Sequence, residues 1–407
     1  TSGFPVLPVF VFDTAILEKL NDKTDARVSF IYKQVQKIKN ELEKNGSSLK
    51  IFHSTPEDAF RVLTETFEIQ AVFTNNDYEP YAIRRDRKVA AFLQEKGIGF
   101  YAFKDHVIFE ENEVLKDDGN PYTVFTPYSK KWKQVLGNRD IQPYPSENRL
   151  GDLLKTQPFR MPGLAELGFE KSTLLVPLPN SSAELLSNYS QSRDLPAIQG
   201  TTRLGAHLRF GTVSIREITT IARTLSETFL NELIWRNFFI AVLAHFPHVE
   251  NNAFKPQYDF IQWRNNEKEF ERWCKGETGY PMVDAGMREL NKTGFMHNRV
   301  RMVTAGFLTK HLLIDWRWGE AYFAEKLLDF ELASNNGNWQ WAAGSGCDAA
   351  PYFRVFNPEA QQKKFDPAGT YILKWIPEYG TTKYPQPLVE HKFARERALR
   401  VYKEALK

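Results

Sequence analysis

The chain has 407 residues, of which 42% are hydrophobic and 25% charged, with 53 basic and 50 acidic side chains and a net charge of +3. This composition is typical of a globular protein of two or three domains and excludes a disordered or fibrous chain. Cys274 and Cys347 lie far apart, which excludes a disulfide scaffold and a cysteine-rich zinc site and favours a cytoplasmic protein without a metal.

The first hundred residues alternate between short apolar runs and amphipathic segments. Strands are predicted at 6–12, 49–53, 71–74 and 98–103, and helices at 28–43, 57–67 and 83–96. Such alternation favours βαβ units, in which a parallel sheet carries helices on both faces. We therefore predict a doubly wound, Rossmann-like α/β domain over residues 1–115.

The rest of the chain divides into a connection and a helical region. Residues 116–185 are rich in Pro, Gly, Asn and Ser and are predicted to form a linker over the surface. Helices are then predicted at 214–225, 231–245, 268–276, 283–293, 297–313, 319–329 and 394–406. We predict an all-helical domain over 186–407. It carries 29 basic against 24 acidic residues, whereas residues 1–185 carry 24 against 26, a weak indication of a polyanionic partner.

Few residues indicate chemistry by themselves. Thr201 and Thr202 precede a predicted helical region and suit either a phosphate or an ordinary helix cap. Arg299 and Arg301 are two residues apart, so on a helix they point in different directions and serve different partners. A buried Asp329 would need a cation such as Arg301. Residues 344–349 match GxGxxA but follow a tryptophan-rich helical segment, so they are predicted to form a turn.

Six segments together resemble the DNA photolyase/cryptochrome family, and class I cyclobutane pyrimidine dimer photolyases most strongly. They are GTTRLG at 200–205, NELIWR at 231–236, TGYP at 278–281, FMHNRVRM at 295–302, DFELASNNGNWQW at 329–341 and DAAPYFRVFNP at 348–358. The resemblance covers nearly the whole chain in the right order. It implies an antenna domain, a helical FAD-binding domain and light-driven repair of UV-damaged DNA.

The resemblance also implies the cofactor contacts. Non-covalent FAD would be held by Tyr189, Thr201, Thr202, Arg203, Leu204, Gly205, Asn298, Arg301, Asp329, Glu331 and Asn335. Gly205 stands where the family usually has serine, and Glu331 where it commonly has aspartate. Asn335 would face flavin N5, and an amide there does not readily supply a proton, which suits a fully reduced, anionic flavin.

Substrate and electron-transfer residues follow from the same resemblance. The dimer pocket would comprise Glu232, Trp235, Asn298, Met302 and Trp341, because a flipped dimer needs an aromatic wall and a few polar groups. The DNA backbone would meet Arg193, Arg299, Gln361 and Lys364. Trp263, Trp316 and Trp339 would carry electrons from the surface to the excited flavin, whereas Trp273 and Trp318 are predicted to be core or surface aromatics. Trp339 and Trp341, two residues apart, are predicted to lie on different helix faces.

Two parts of the family pattern are missing or incomplete. Family members begin with a strand bearing a WFRRDLR-like motif and a helix, and neither is in this sequence, so we expect a truncated sequence. Glu79 resembles a pterin-contacting glutamate, but the lysine of folate-binding members has no counterpart near Asn251. A folate, a deazaflavin, a second flavin and no antenna chromophore all remain open.

Two alternative functions remain. A cryptochrome photoreceptor shares the fold, FAD and the tryptophans but repairs nothing; Asn335 and the dimer pocket favour repair instead. A (6-4) photolyase typically has a second histidine beside the one matching His297, where this chain has Asn298. We expect a monomer that binds damaged DNA and no membrane.

Overall fold

The computed structural model describes residues 3–407, which form two compact units. One unit contains the residues up to His106 together with Ile141–Pro177 and Phe210–Glu217, and the other contains Val107–Asp140, Leu178–Arg209 and Ile218–Lys407. These units differ from the predicted boundaries at 115 and 185. The stretch predicted to be a linker is divided between the two units and contains a helix of its own.

The first unit contains four strands and the helices that alternate with them. The strands are β1 (Val9–Asp13), β2 (Lys50–Ser54), β3 (Ala71–Asn75) and β4 (Gly99–Phe103), and the helices are α1 (Thr14–Leu17), α2 (Ala26–Lys44), α3 (Pro56–Thr66) and α4 (Pro80–Glu95). Every predicted strand and helix of this region is present. β1 begins later than predicted, after Pro8, which has no N–H for a ladder.

The predicted parallel pairing is confirmed, but the single predicted sheet is not. β1 pairs with β2, Val9 lying opposite Lys50, and β3 pairs with β4, Ala71 lying opposite Gly99. Within residues 3–407 the strands therefore form two two-stranded sheets, because no ladder of hydrogen bonds joins β1 to β3.

The remaining helices are numbered in chain order. They are α5 (Phe125–Leu136), α6 (Ala183–Ser187), α7 (Tyr189–Ser192), α8 (Gly205–Arg209), α9 (Ile215–Leu225), α10 (Glu227–His245), α11 (Glu267–Lys275), α12 (Pro281–Thr293), α13 (Asn298–Gly306), α14 (Trp316–Lys326), α15 (Leu332–Ala343), α16 (Pro358–Phe365), α17 (Thr370–Trp375) and α18 (His391–Ala405). The predicted class, an α/β region followed by a helical one, is confirmed.

Sequence periodicity misses the short helices α6, α7, α8, α16 and α17. It also misses the longer helices α5 and α15, for different reasons. Gly137 and nearby prolines give α5 the composition of a loop. In α15 the polar Asn336 and Gln340 are each only 2% exposed, and both donate to the carbonyl of Val249, at 2.9 and 3.1 Å. A helix that buries polar groups in this way has no apolar stripe for a periodicity search to find.

The ends of helices α13 and α15, which line the candidate site, are defined by local backbone features. His297 caps α13, its Nδ1 accepting from the Arg299 amide at 3.2 Å. The predicted helix over 297–313 is interrupted after Gly306 by a π-helical turn, Phe307–His311. α15 ends at Ala343 and is followed by Gly344, whose φ of 89° is easily adopted only by glycine. Residues 344–349 thus follow a helix, as predicted.

Residues 3–407 contain neither a membrane-spanning helix nor a cluster of metal-ligating side chains. No helix there is both long and apolar enough to cross a membrane. No group of three or more His, Cys, Asp or Glu side chains there is arranged to hold a metal ion.

Candidate active site

A cavity of about 590 Å³, partly open to solvent, is lined by residues of α13, α14 and α15 and of the segment between α14 and α15. Eight sequence-predicted site residues line it: Asn298, Arg301, Met302, Asp329, Glu331, Asn335, Trp339 and Trp341. The structure thus brings predicted cofactor residues and predicted substrate residues to one cavity.

Arg301 and Asp329 form the ion pair that the sequence predicts. Arg301 Nη2 lies 3.1 and 2.9 Å from the two Asp329 carboxylate oxygens, and Arg301 Nε donates to the Met296 carbonyl at 2.7 Å. A Cβ on Gly205 would lie only 2.8 Å from Asp329 Cβ and Oδ2. The absence of a side chain at position 205 therefore lets Asp329 occupy its place beside Arg301.

Arg203 is the strained residue of the GTTRLG segment. Its φ is +55°, which is uncommon outside glycine, and its guanidinium lies 3.4 Å above the Phe295 ring, with Arg301 5.6 Å from the same ring. Burial lowers the pKa of Arg203, and the charge of Arg301 lowers it further. Two cations on one ring, one of them held in a strained conformation, suit an anionic group such as a pyrophosphate.

Four other residues predicted to contact the FAD phosphates or ribityl chain lie outside the cavity lining. Tyr189 is 7% exposed, packs edge-on against Phe229 at 5.2 Å and has its pKa raised by burial. Thr202 and Leu204 are also buried, and Thr201 is half-buried. None of these four lines the 590 Å³ cavity.

Asn335 lines the cavity with its amide nitrogen already engaged. The nitrogen donates to the carboxylate and to the backbone carbonyl of Glu320 on α14. The amide oxygen is therefore the atom available to a ligand. Glu320 is absent from the sequence prediction, and no pattern in the sequence singles it out.

Glu331 also lines the cavity, and both of its carboxylate oxygens have partners. Oε1 accepts from Arg236 Nη2 at 2.6 Å, and Oε2 accepts from the Ser334 hydroxyl at 2.7 Å. The two side chains of the ion pair are only 12% and 6% exposed. Arg236 lies within the NELIWR segment, so the resemblance offered a signal for this residue that the sequence analysis did not use.

Two predicted pocket residues on α10 lie outside the cavity lining. The Trp235 ring stacks on Phe125 with centroids 3.7 Å apart and an interplanar angle of 4°, and it lies 5.4 Å from Phe239. Glu232 forms an ion pair with Arg193. Sequence analysis missed Phe125 because it belongs to α5, inside the predicted linker.

The four residues predicted at the DNA backbone lie on the loop after α7 and on helices α13 and α16. The Arg299 guanidinium lies 4.4 Å and the Lys364 ammonium 5.1 Å from the Phe365 ring. Gln361 lies on the same helix as Lys364. Arg299 Nη2 pairs with Asp194 at 2.9 Å, whereas Arg301 pairs with Asp329, so the two arginines do serve different partners, as predicted.

The predicted electron-transfer tryptophans differ in exposure. Trp339 and Trp316 are each 2% exposed, whereas Trp263 is only partly buried and lies edge-on to Tyr402 at 5.9 Å. Trp339 has Phe323 and Trp273 as ring neighbours, at 5.0 and 6.1 Å.

The remaining tryptophans lie in the core or beside a second cavity. Trp273 is fully buried, and Trp318 packs on Phe270 at 5.2 Å, so the core prediction for Trp273 is confirmed. Trp339 and Trp341 both line the 590 Å³ cavity, but Trp339 is 2% exposed and Trp341 is half-buried, and their placement on different faces of α15 stays a prediction. Trp341 alone of the two also lines a cavity of about 390 Å³.

Comparison with known proteins gives consistent matches along the chain. Residues 1–147 match the family model described as DNA photolyase, and residues 229–382 match the FAD binding domain of DNA photolyase. The deoxyribodipyrimidine photo-lyase of Alkalihalophilus pseudofirmus is 37% identical over 92% of this chain and 87% of its own length.

Two solved structures are also similar. A bacterial class III photolyase from Agrobacterium tumefaciens superposes with a TM-score of 0.86 at 30% identity, covering 99% of this chain and 92% of its own. An archaeal photolyase from Sulfolobus tokodaii, solved with two FAD molecules, has a TM-score of 0.79 at 34% identity and covers 99% and 94%.

Proposed function

This chain belongs to the DNA photolyase family, and we propose that it repairs cyclobutane pyrimidine dimers in DNA by light-driven electron transfer, as a deoxyribodipyrimidine photo-lyase. One observation carries the proposal. Arg301, Asp329 and Asn335, which match flavin contacts, line the same 590 Å³ cavity as Asn298, Met302 and Trp341, which match dimer contacts. A catalyst that passes an electron from cofactor to substrate needs both in one enclosure.

The residues present fit FAD. Arg203 supplies a desolvated cation for the pyrophosphate, with Thr201 and Thr202 beside it in the chain. The Arg301–Asp329 pair and the Asn335 amide oxygen offer polar contacts to the ring system. When bound in reduced form, FAD supplies the electron that opens the dimer under blue or near-UV light and takes it back afterwards.

The protein's own contribution is binding, orientation and exclusion of water. Met302 and Trp341 give the cavity an apolar wall on which a flipped base can stack, while Asn298 offers an amide to its edge. Glu232 and Trp235 on α10 complete the dimer pocket in this proposal. Arg193, Arg299, Gln361 and Lys364 position the strand through its phosphates.

Trp263, Trp316 and Trp339 are proposed to restore the reduced cofactor. The innermost member, Trp339, lines the cavity itself, and Trp263 is the member that is not fully buried. A partly exposed Trp263 and a Trp339 that lies at the cavity support a route from the surface to the flavin.

We also propose a cellular compartment and an oligomeric state for the enzyme. Free Cys274 and Cys347 suit a reducing cytoplasm, and we propose that the enzyme acts there as a monomer on UV-damaged DNA.

The deciding experiment is repair of a thymine-dimer oligonucleotide. Reduced protein is incubated with the oligonucleotide under blue light, with a dark sample as control, and dimers are counted by chromatography. Loss of dimers in light alone is expected. A fully reduced, flavin-loaded protein that leaves them intact would indicate a photoreceptor, and activity on (6-4) photoproducts alone would indicate the other class of photolyase.

A further inference from the structure

We propose that Arg193 is a specificity-determining residue whose ion pair with Glu232 couples phosphate binding to occupancy of the dimer pocket. In this arrangement Arg193 binds a DNA phosphate only after a flipped base has replaced Arg193 as the hydrogen-bond donor to Glu232. The inference rests on the proposed function and extends it, because it concerns how damaged DNA is told from undamaged DNA rather than how the dimer is opened.

Four charges of alternating sign form a connected row. Arg193 Nη1 contacts Glu232 Oε1, and Arg193 Nε lies 3.9 Å from Asp194 Oδ1. The same Asp194 oxygen lies 2.9 Å from Arg299 Nη2. Helix α10, the loop after α7 and helix α13 each contribute to this row, so it connects the predicted base-edge residue Glu232 with both predicted phosphate-binding arginines.

The arginines of the row are largely buried, and each lies against an aromatic ring. Their side chains are 22% exposed for Arg193 and 18% for Arg299. The Arg193 guanidinium also lies 5.7 Å from the Tyr189 ring, and that of Arg299 lies 4.4 Å from the Phe365 ring. A guanidinium held against an aromatic ring exchanges one anionic partner for another more readily than it moves away.

Glu232 depends on a donor. Burial raises the pKa of Glu232, and the neighbouring Arg193 opposes that rise. The Arg193 guanidinium is thus the cation that favours the ionised form of this carboxylate. Releasing Arg193 to a phosphate without a replacement donor would leave a poorly solvated carboxylate uncompensated, which is unfavourable.

A flipped pyrimidine supplies the replacement, and a DNA backbone does not. The Watson–Crick edge of a thymine presents an imide N–H, which a carboxylate accepts. Phosphates carry acceptors only. Undamaged duplex, with its bases stacked, can therefore compete for the exposed Lys364 but not for Arg193, whereas a flipped dimer engages Glu232 and makes Arg193 available to the flanking phosphate.

This difference has a measurable consequence in salt. Each phosphate contact contributes about 0.9 to the slope of log K against log salt concentration. In the wild-type protein the slope for dimer-containing DNA should exceed that for matched undamaged DNA by about one such contact. A purely structural role for the Arg193–Glu232 pair would not produce this difference.

The test measures both slopes in the dark by fluorescence anisotropy, with flavin-loaded wild type, Arg193→Gln and Glu232→Gln. Arg193→Gln should remove the difference by lowering the slope for damaged DNA. Glu232→Gln should also remove the difference between the two slopes, but by raising the slope for undamaged DNA. Without the Glu232 carboxylate, Arg193 can bind a phosphate of either DNA. Each variant should reduce discrimination about tenfold, the effect of one lost contact of about 1.4 kcal/mol.

Lys364→Gln is the matched control, because Lys364 lies outside the row of charges. It should lower both slopes equally and preserve their difference. Flavin content, measured by absorbance, verifies that each variant is folded. An unchanged slope for undamaged DNA in Glu232→Gln, or an equal fall of both slopes in Arg193→Gln, would overturn the coupling. If the wild type repairs dimers in the same preparation, the proposed function still stands. A wild type that neither repairs nor prefers damaged DNA would overturn both.

Discussion

The side-chain amide nitrogen of Asn335 donates to Glu320 twice, to the carboxylate Oε1 at 2.8 Å and to the backbone carbonyl at 3.1 Å. Both amide hydrogens are thereby used, so the Asn335 oxygen is the atom presented to the cavity. An acceptor at this position can receive a hydrogen bond from a reduced flavin but cannot give one to an oxidised flavin.

Removing the Glu320 carboxylate should therefore alter the flavin without expelling it. In Glu320→Ala one of the two bonds that orient Asn335 is lost, at a cost of about 1 kcal/mol, and the reversed amide orientation becomes populated. We expect the reduced flavin to reoxidise in air about fivefold faster, as followed by absorbance, given that free energy. Glu320→Gln keeps an acceptor and should behave like wild type; equal behaviour of Glu320→Ala would contradict the assigned orientation.

Arg301→Ala should lower flavin occupancy. The substitution leaves Asp329 without the cation that lies 2.9 Å away, and removing one partner of a partly buried pair is destabilising. The ratio of flavin to protein absorbance in purified protein measures the effect. Arg299→Ala, whose partner is Asp194 outside the cavity lining, is the control and should retain its flavin. Full occupancy in Arg301→Ala would count against the role of the pair.

Trp339→Phe should abolish photoreduction of oxidised FAD but leave repair by chemically reduced enzyme nearly unchanged. The substitution keeps an aromatic ring in the buried site and removes the proposed electron donor, which lines the cavity. Trp273→Phe is the matched control, since its ring lies 6.1 Å from Trp339 and is predicted to serve the core. Photoreduction at the original rate in Trp263→Phe, Trp316→Phe and Trp339→Phe alike would disprove the electron-transfer assignment.

Gly205→Ser, which introduces the residue usual in the family, should weaken flavin binding here. The new Cβ would approach Asp329 Cβ and Oδ2 to 2.8 Å, so Asp329 must move away from Arg301. Overpacking of this kind costs about 1–3 kcal/mol, and thermal unfolding with and without added FAD measures it. Gly151→Ser meets nothing within 4 Å and is the control. A melting temperature of Gly205→Ser equal to that of the wild type would show that Asp329 makes room for the new side chain at no cost in stability.

Stability should fall as the pH is lowered through the ordinary range of histidine. Burial, with help from His391 and Arg397, lowers the pKa of His311 to about 3, and its Nε2 lies 2.8 Å from His391 Nδ1. Below pH ~6.5 the unfolded chain takes up a proton that the folded chain refuses, so stability is complete above that pH and is lost as the pH falls towards 3.

The variant His311→Gln isolates this contribution. Between about pH 7.5 and pH 5 the wild type should lose about 2 kcal/mol more unfolding free energy than the variant, since one pKa unit is worth about 1.4 kcal/mol. Denaturant titrations at both pH values give the comparison. Parallel losses in the two proteins would mean that His311 is protonated in the folded state.

The sequence by itself determined the local structure wherever periodicity and composition were clear. The βαβ alternation before residue 104 and most of the long helices after residue 210 follow from apolar spacing, which acts over a few residues. The motifs carried the family resemblance and hence FAD and dimer repair. They also paired Arg301 with Asp329, because a buried carboxylate needs a cation.

Only the tertiary structure decided which groups meet across the chain. α15 escaped prediction because its polar Asn336 and Gln340 are buried against the Val249 carbonyl, a contact that no local pattern encodes. Three contacts join residues from separate elements. Glu320 orients Asn335, Trp235 stacks on Phe125, and Asp194 lies near both Arg193 and Arg299. Burial and hydrogen-bond satisfaction depend on the packed environment of each side chain, so they are properties of the fold rather than of any stretch of sequence.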